Sequence, residues 1–244
     1  MKRWMLAYVM ATACGDAAGS EDDGGSEGDD EGGDGVPAHP SLDDEFDGDE
    51  LAGWEIVNAD RADVHLANDS LVIEPRAMSL WFDGSAGVLL AKRIAGDFVV
   101  TAPVRARSLS EPTQPPSPLF RLGGLMARDP GGAAEDYVFI VLGADDADVS
   151  VETKSTDDSK SDYQAPPWPS GEGSVRICRE GARFTLLVRE ATGTWIEQAM
   201  FTRDDLPDTL QVGPMAYANA DPADLQVNFD AVRFTAFAGS CLDD

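Results

Sequence analysis

Carboxylates dominate the groups in this chain that could do chemistry. Forty-five Asp and Glu stand against 18 Lys and Arg, for a formal charge of −27 over 244 residues. The densest acidic run on a strand-like segment is Asp145-Asp146-Ala147-Asp148-Val149-Ser150-Val151-Glu152. Glycoside hydrolysis needs two carboxyls about 5–5.5 Å apart for retention, or about 6.5–9.5 Å for inversion. On an extended strand Asp148 and Glu152 stand ~13 Å apart, which is too far for either. Asp146 and Asp148 come to ~6.6 Å, a spacing that suits inversion but also occurs on any acidic outward face. Histidine chemistry is sparse. His39 falls in an acidic low-complexity stretch, and His65 alternates with Val64 and Leu66 as a surface strand residue would. No Gly-x-Ser-x-Gly elbow follows a strand-like segment (Gly24 to Gly28 has the spacing but falls in the acidic low-complexity stretch), and no short-spaced His/Cys set for zinc and no phosphate-cradling Gly loop occurs.

Binding is better provided for than catalysis. Sugar recognition needs an aromatic plate against the apolar face of a ring, with polar groups beside it. Trp81, Tyr163 and Trp168 are the candidate plates, and Asp162, with Asp157 and Asp158, could meet hydroxyls. Trp168 lies in Pro166-Pro167-Trp168-Pro169, too proline-rich for a central strand. Each plate has a packing alternative, Trp81 in the core and Trp168 as a loop anchor. Trp54 and Trp195 read as core residues.

The acidity excludes a nucleic-acid partner, since phosphates need clustered Lys and Arg. It also excludes docking to anionic lipid through a basic face. No apolar run reaches the ~20 residues of a membrane-spanning helix. The first residues instead read as an address. Lys2 and Arg3 precede a short apolar stretch, then Ala11-Thr12-Ala13-Cys14-Gly15, so residues 1–13 form a signal peptide. Small residues before Cys14 resemble the bacterial lipoprotein signal, which places the lipid on Cys14; Ala11-x-Ala13 also suits ordinary cleavage and secretion. Residues 15–40 carry nine acids and no Lys or Arg, interleaved with Gly and Ser. Such a run buries too little to fold, so residues 14–42 read as a solvated tether to the membrane. Cys178 and Cys241 then remain as an even pair in an oxidising compartment, either bridged or as two separate thiols.

Residues 43–244 read as one all-β domain. Apolar residues recur every second position in Phe98-Val100-Ala102-Val104-Ala106 and in Phe184-Leu186-Val188, the period of half-buried antiparallel strands. Further strands are expected over 54–57, 63–66, 70–74, 78–82, 87–94, 119–127, 136–143, 148–154, 174–179, 194–200, 210–218 and 224–236. Leu225, Val227 and Phe229 are odd-numbered while Val232 and Phe234 are even, so a bulge is expected near Asp230-Ala231. One helical turn is expected over 203–206. Many short strands without helices make a two-sheet sandwich or barrel.

The order of motifs narrows this. Phe46-Asp47, Gly53-Trp54, Ser79-Leu80-Trp81, Gly96-Asp97-Phe98, Gly123-Gly124-Leu125-Met126-Ala127-Arg128, Ser161-Asp162-Tyr163, Val175-Arg176-Ile177-Cys178-Arg179, Gly193-Thr194-Trp195 and Phe229-Asp230-Ala231-Val232 follow in sequence. Together they resemble the DUF1349-type branch of the concanavalin A-like lectin/glucanase superfamily, over roughly residues 43–236. The resemblance implies a jelly-roll sandwich whose first and last strands pair, with a concave face that meets carbohydrate in many relatives. It places Trp81 at the family's aromatic position. It also brings Asp47 and Asp230 together as a candidate structural Ca2+ site. The Glu-x-Asp-x-x-Glu spacing that related glucanases carry on one strand occurs here only as Glu45-Phe46-Asp47-Gly48-Asp49-Glu50, ahead of the first alternating segment, and loops 108–118 and 144–173 are longer and more acidic than the family pattern. The sequence therefore predicts an exported, lipid-anchored module that binds glycan without cleaving it. A structural lipoprotein that meets a protein or envelope component is the alternative, and a glycoside hydrolase the third reading.

Overall fold

The computed structural model describes residues 42–81, 87–131 and 136–243. The signal peptide, Cys14, the tether and His39 lie outside the described residues. In chain order the strands are β1 (Glu55–Val57), β2 (Ala62–Leu66), β3 (Leu71–Pro75), β4 (Val88–Ala95), β5 (Phe98–Arg107), β6 (Arg121–Arg128), β7 (Tyr137–Ala144) and β8 (Val149–Asp157). They continue as β9 (Lys160–Gln164), β10 (Glu172–Glu180), β11 (Arg183–Arg189), β12 (Ile196–Thr202), β13 (Thr209–Ala218), β14 (Gln226–Phe229) and β15 (Arg233–Thr235). A 3-10 turn, Ala59–Arg61, is the single helical element among the described residues.

Two antiparallel sheets form a jelly-roll sandwich. One runs β1-β4-β13-β6-β7-β8-β9. The other runs β12-β11-β10-β5-β14-β3-β2, with β15 added on β5. The core between them follows the period-two rule: Val138, Ile140 and Leu142 of β7 face Val100, Ala102 and Val104 of β5 in one buried cluster. Near the start of the domain, Asp44 bridges Val232 through a reciprocal pair of backbone hydrogen bonds at 3.0 and 2.8 Å.

The phase break resolves as a bulge. Asn228 stands opposite Arg105 and Arg233 opposite Thr101, so five steps on one strand face four on β5. The extra residue keeps Val227, Phe229, Val232 and Phe234 all buried. Asp230 sits in this bulge, where Arg105 grips its carboxylate with two donors at 2.7 and 2.5 Å and Ser70 adds a hydroxyl at 2.8 Å.

Two sequence expectations are corrected. Residues 78–81 form no strand; only Ser79 bridges Ala218, and Leu80 and Trp81 pack instead on the outward residues of β6, β7 and β13. Residues 203–206 make a turn rather than a helix. Buried Arg203 anchors it, donating to the Tyr137 and Thr156 carbonyls at 3.0 and 2.6 Å and to Asp205 at 2.6 Å. Trp195 is buried, as expected, in a separate small cluster with Val99, Cys178 and Leu187, with the Arg176 and Arg189 guanidiniums 4.1 and 4.3 Å from its ring centroid. Cys178 is disulfide-bonded to Cys241 across 63 residues.

Candidate functional site

The smaller sheet has two apolar faces. β7 is buried along its whole length, Tyr-Val-Phe-Ile-Val-Leu-Gly-Ala, which requires cover on both sides. Its even residues meet the opposite sheet. Tyr137, Phe139 and Val141 point outward and join Leu122, Met126, Met215 and Tyr217 in a second buried cluster. Trp81 covers part of that cluster. Tyr137 stacks on Phe139 at 5.7 Å, meets Trp81 edge-on at 6.0 Å and donates its hydroxyl to the Trp81 carbonyl. Lys154 caps the arrangement, reaching the same carbonyl at 3.1 Å and lying 5.8 Å from the Phe139 ring centroid.

Beside this aromatic layer opens a cleft of about 310 Å³. Leu80, Trp81 and Phe120 supply apolar wall, and Glu152, Lys154, Ser161, Tyr163, Tyr217 and Asn219 supply polar groups. Alternation along β8 puts Glu152 and Lys154 on the outward face, while Val151 turns into the core. β9 places Ser161 and Tyr163 on the same side as its pairing partners Thr156 and Lys154. Asn219 and Phe120 come from the adjoining ends of β13 and β6, joined by a backbone hydrogen bond at 2.8 Å. Tyr217 and Glu152 are separated by β6 and β7, yet the phenol donates to Glu152 Oε1 at 2.9 Å.

The electrostatics centre on Glu152. Its side chain is 2% exposed, and burial pushes its carboxyl up to about 7. The Tyr217 hydrogen bond and the Lys154 ammonium pull it partly back, and Asp145 adds to the rise. Burial and the neighbouring Glu152 charge lift the Tyr217 hydroxyl well above its ordinary value. Burial likewise raises Tyr163, with smaller contributions from Glu152, Asp145 and Asp146. Glu152 Oε2 is buried and has no hydrogen-bond partner.

The sequence candidates separate. Tyr163 is 46% exposed on the cleft wall and can offer its ring to a ligand. Trp81 lines the cleft but is 1% exposed, wedged against Gly87; a Cβ there would sit 2.1 Å from Nε1. It is wall and support rather than an open plate. Trp168 is half-buried against the main core, donates Nε1–H to the Glu172 carbonyl at 2.9 Å and stands away from the cleft lining. Asp162 alternates away from Tyr163 and lines a different groove with Met200 and Thr202. Asp47 is exposed, and the Asp230 carboxylate is paired with Arg105. Among the described residues one acidic trio, Asp136, Asp157 and Asp205, lies within 4.8 Å, but Arg203 pairs with Asp136 and Asp205 there. Asp146 and Asp148 are exposed in the β7–β8 turn and Glu152 is buried, so the run forms no facing acid pair.

Glu152, Lys154, Tyr217, Phe120 and Asn219 were not singled out as binding residues by sequence reasoning. The available signal was the unbroken apolar run of β7. A strand covered on both faces implies that its neighbour β8 also carries an enclosed outward face, on which Glu152 is the acid.

No family model matches the chain, and no curated protein does. Solved structures share its fold. A functionally unknown protein from Saccharomyces cerevisiae superposes with a TM-score of 0.62 at 16% identity, covering 78% of this chain and 100% of that one. The GH43 protein BlXynB from Bacillus licheniformis gives 0.62 at 12% identity, covering 80% of this chain and 39% of its own. An immunostimulatory antigen and pseudo β-1,3-glucanase of Mycobacterium tuberculosis gives 0.54 at 15%, covering 81% and 98%. This chain thus spans about two-fifths of the GH43 protein's length. At these identities the likeness establishes a shared sandwich fold.

Proposed function

We propose that the domain is a non-catalytic glycan-binding module of the DUF1349-like type, and that the outer face of the smaller sheet is its binding surface. One observation carries this reading: the cleft joins a half-exposed Tyr163 and an apolar wall to hydrogen-bonding groups, with a single carboxylate among its lining residues. An aromatic ring beside amide, hydroxyl and carboxyl groups suits a sugar ring, which is apolar on one face and polar around its rim. One carboxyl does not make the acid pair that glycoside hydrolysis uses. The names of structural neighbours, a xylan β-1,4-xylosidase from Bacillus halodurans and the pseudo β-1,3-glucanase, lend support and suggest xylo- and β-1,3-gluco-oligosaccharides as probes.

The same proposal holds the module outside the cytoplasm, on a lipid attached to Cys14, with the acidic run as spacer. The Cys178–Cys241 disulfide supports an oxidising compartment. Cys14→Ser then releases the protein from the membrane fraction; a variant that stays there as wild type does removes the anchor from the account.

The binding test is calorimetric titration with xylotetraose and laminaritetraose. Wild type binds at least one, and Tyr163→Ala weakens it by about tenfold, in the range for an aromatic anchor. Absence of binding to both, or full affinity in Tyr163→Ala, refutes the reading.

A further inference from the structure

Half of the Glu152 carboxyl is unaccounted for. Oε1 takes the Tyr217 hydroxyl, while Oε2 is buried without a partner in a residue that lines the cleft. Buried polar atoms in folded proteins are nearly always hydrogen-bonded, so an orphan beside a cavity points to a ligand group that completes it. We propose that Glu152 selects the ligand: Oε2 accepts a hydrogen bond from one hydroxyl of an uncharged sugar, and docking drives the carboxyl's proton into solvent. This rests on the glycan reading above.

Three features fix the direction of the proton. First, desolvation of Glu152 is already complete in the free chain, because its side chain is buried there. A ligand adds little further burial, so what it changes is the hydrogen bonding. Second, a hydroxyl donating to a carboxylate makes a charge-assisted bond, roughly twice as strong as the neutral bond to a carboxylic acid. The ionised form therefore gains more from the ligand than the protonated form. Third, the groups around the carboxyl are placed to hold a negative charge once the ligand is in. Tyr217 from β13 donates to Oε1, and Lys154 on β8 supplies positive charge. Asp145 in the β7–β8 turn opposes that charge, and Asp145, Asp146 and Glu152 act together on Tyr163 from β9.

The same surroundings argue against an acidic sugar. A uronate carboxylate entering the cleft meets Glu152, with Asp145 and Asp146 close by. The Lys154 ammonium is committed to the Trp81 carbonyl and to the faces of Tyr137 and Phe139. Selection for an uncharged sugar and proton release then have one origin, the buried carboxyl.

The test is titration calorimetry of the full chain with xylotetraose, laminaritetraose and trigalacturonate at pH 6, 7 and 8, in two buffers of different ionisation enthalpy. A neutral oligosaccharide is expected to bind about tenfold tighter at pH 8 than at pH 6. The heat should depend on the buffer, reporting proton release, and trigalacturonate should bind more weakly than the neutral probe. Glu152→Gln, checked for folding by thermal unfolding, should bind with no pH dependence. Tyr217→Phe removes the donor at Oε1 and should move the midpoint of the dependence upward. Neutral-sugar binding that is flat with pH, tighter at low pH, or unchanged in its pH dependence by Glu152→Gln overturns this inference and leaves the glycan reading standing. Tighter binding of trigalacturonate than of the neutral probes also overturns it. No binding of any probe at any pH overturns both.

Discussion

Glu152→Gln should make the free protein more stable at pH 8 and leave it nearly unchanged at pH 4. The carboxyl is held at about 7 in the folded chain and returns to about 4.5 when unfolding exposes it to water. Below pH 4.5 both states carry the proton and the group costs nothing. Between pH 4.5 and 7 the unfolded chain gives up its proton while the folded chain keeps it. Stability therefore falls by about 1.4 kcal/mol per pH unit across that window. Above pH 7 the loss levels off near 3 kcal/mol, an order-of-magnitude figure set by the same shift. Glutamine keeps the shape and can still accept from Tyr217, but has no charge to desolvate. For a domain of this size 3 kcal/mol corresponds to roughly 6–12 °C in melting temperature. Thermal unfolding of both proteins from pH 4 to pH 8, compared as a difference at each pH, cancels the other titrating groups. A difference that stays constant with pH, or a Gln variant less stable at pH 8, would refute the reasoning that burial dominates at this carboxyl.

Other positions give sharp outcomes. Replacing both Cys178 and Cys241 by Ser should cost up to about 4 kcal/mol in urea unfolding, from the loop entropy of a 63-residue separation. Gly143 has φ +148°, and a Cβ there would lie 2.1 Å from the Arg121 carbonyl oxygen, so Gly143→Ala should destabilise the paired β6 and β7 by at least about 2 kcal/mol by the same assay. Trp168→Ala removes packing on the core and the hydrogen bond to Glu172. It should cost about 3 kcal/mol of stability while leaving oligosaccharide affinity within twofold, because Trp168 does not line the cleft.

Much of the fold was legible because most strands alternate on a buried face. β11 shows it best: Phe184, Leu186 and Val188 fill the core while Arg183 and Arg189 turn outward at its ends. The bulge at Asp230 was legible for the same reason, since a parity change among buried residues has one geometric remedy. β9 was not, because Lys-Ser-Asp-Tyr-Gln is exposed throughout and carries no apolar period; pairing with β8 alone makes it a strand. Trp81 was half-legible. Its residue type suits a sugar plate, but its burial depends on the outward cluster from β6, β7 and β13, assembled by pairings that a linear pattern does not display. Glu152 was hidden by an argument from spacing: distance along β8 spoke against an acid pair, and nothing in the chain's order shows that Tyr217 reaches it across two strands.

Backbone amide NMR of the labelled domain titrated with xylotetraose and laminaritetraose tests the location of the binding surface most directly. Saturating shifts should cluster at Lys154, Ser161, Tyr163 and Asn219. Shifts centred instead on Thr101 and Arg176, on the outer face of the larger sheet, or no shifts with either sugar, would contradict the account.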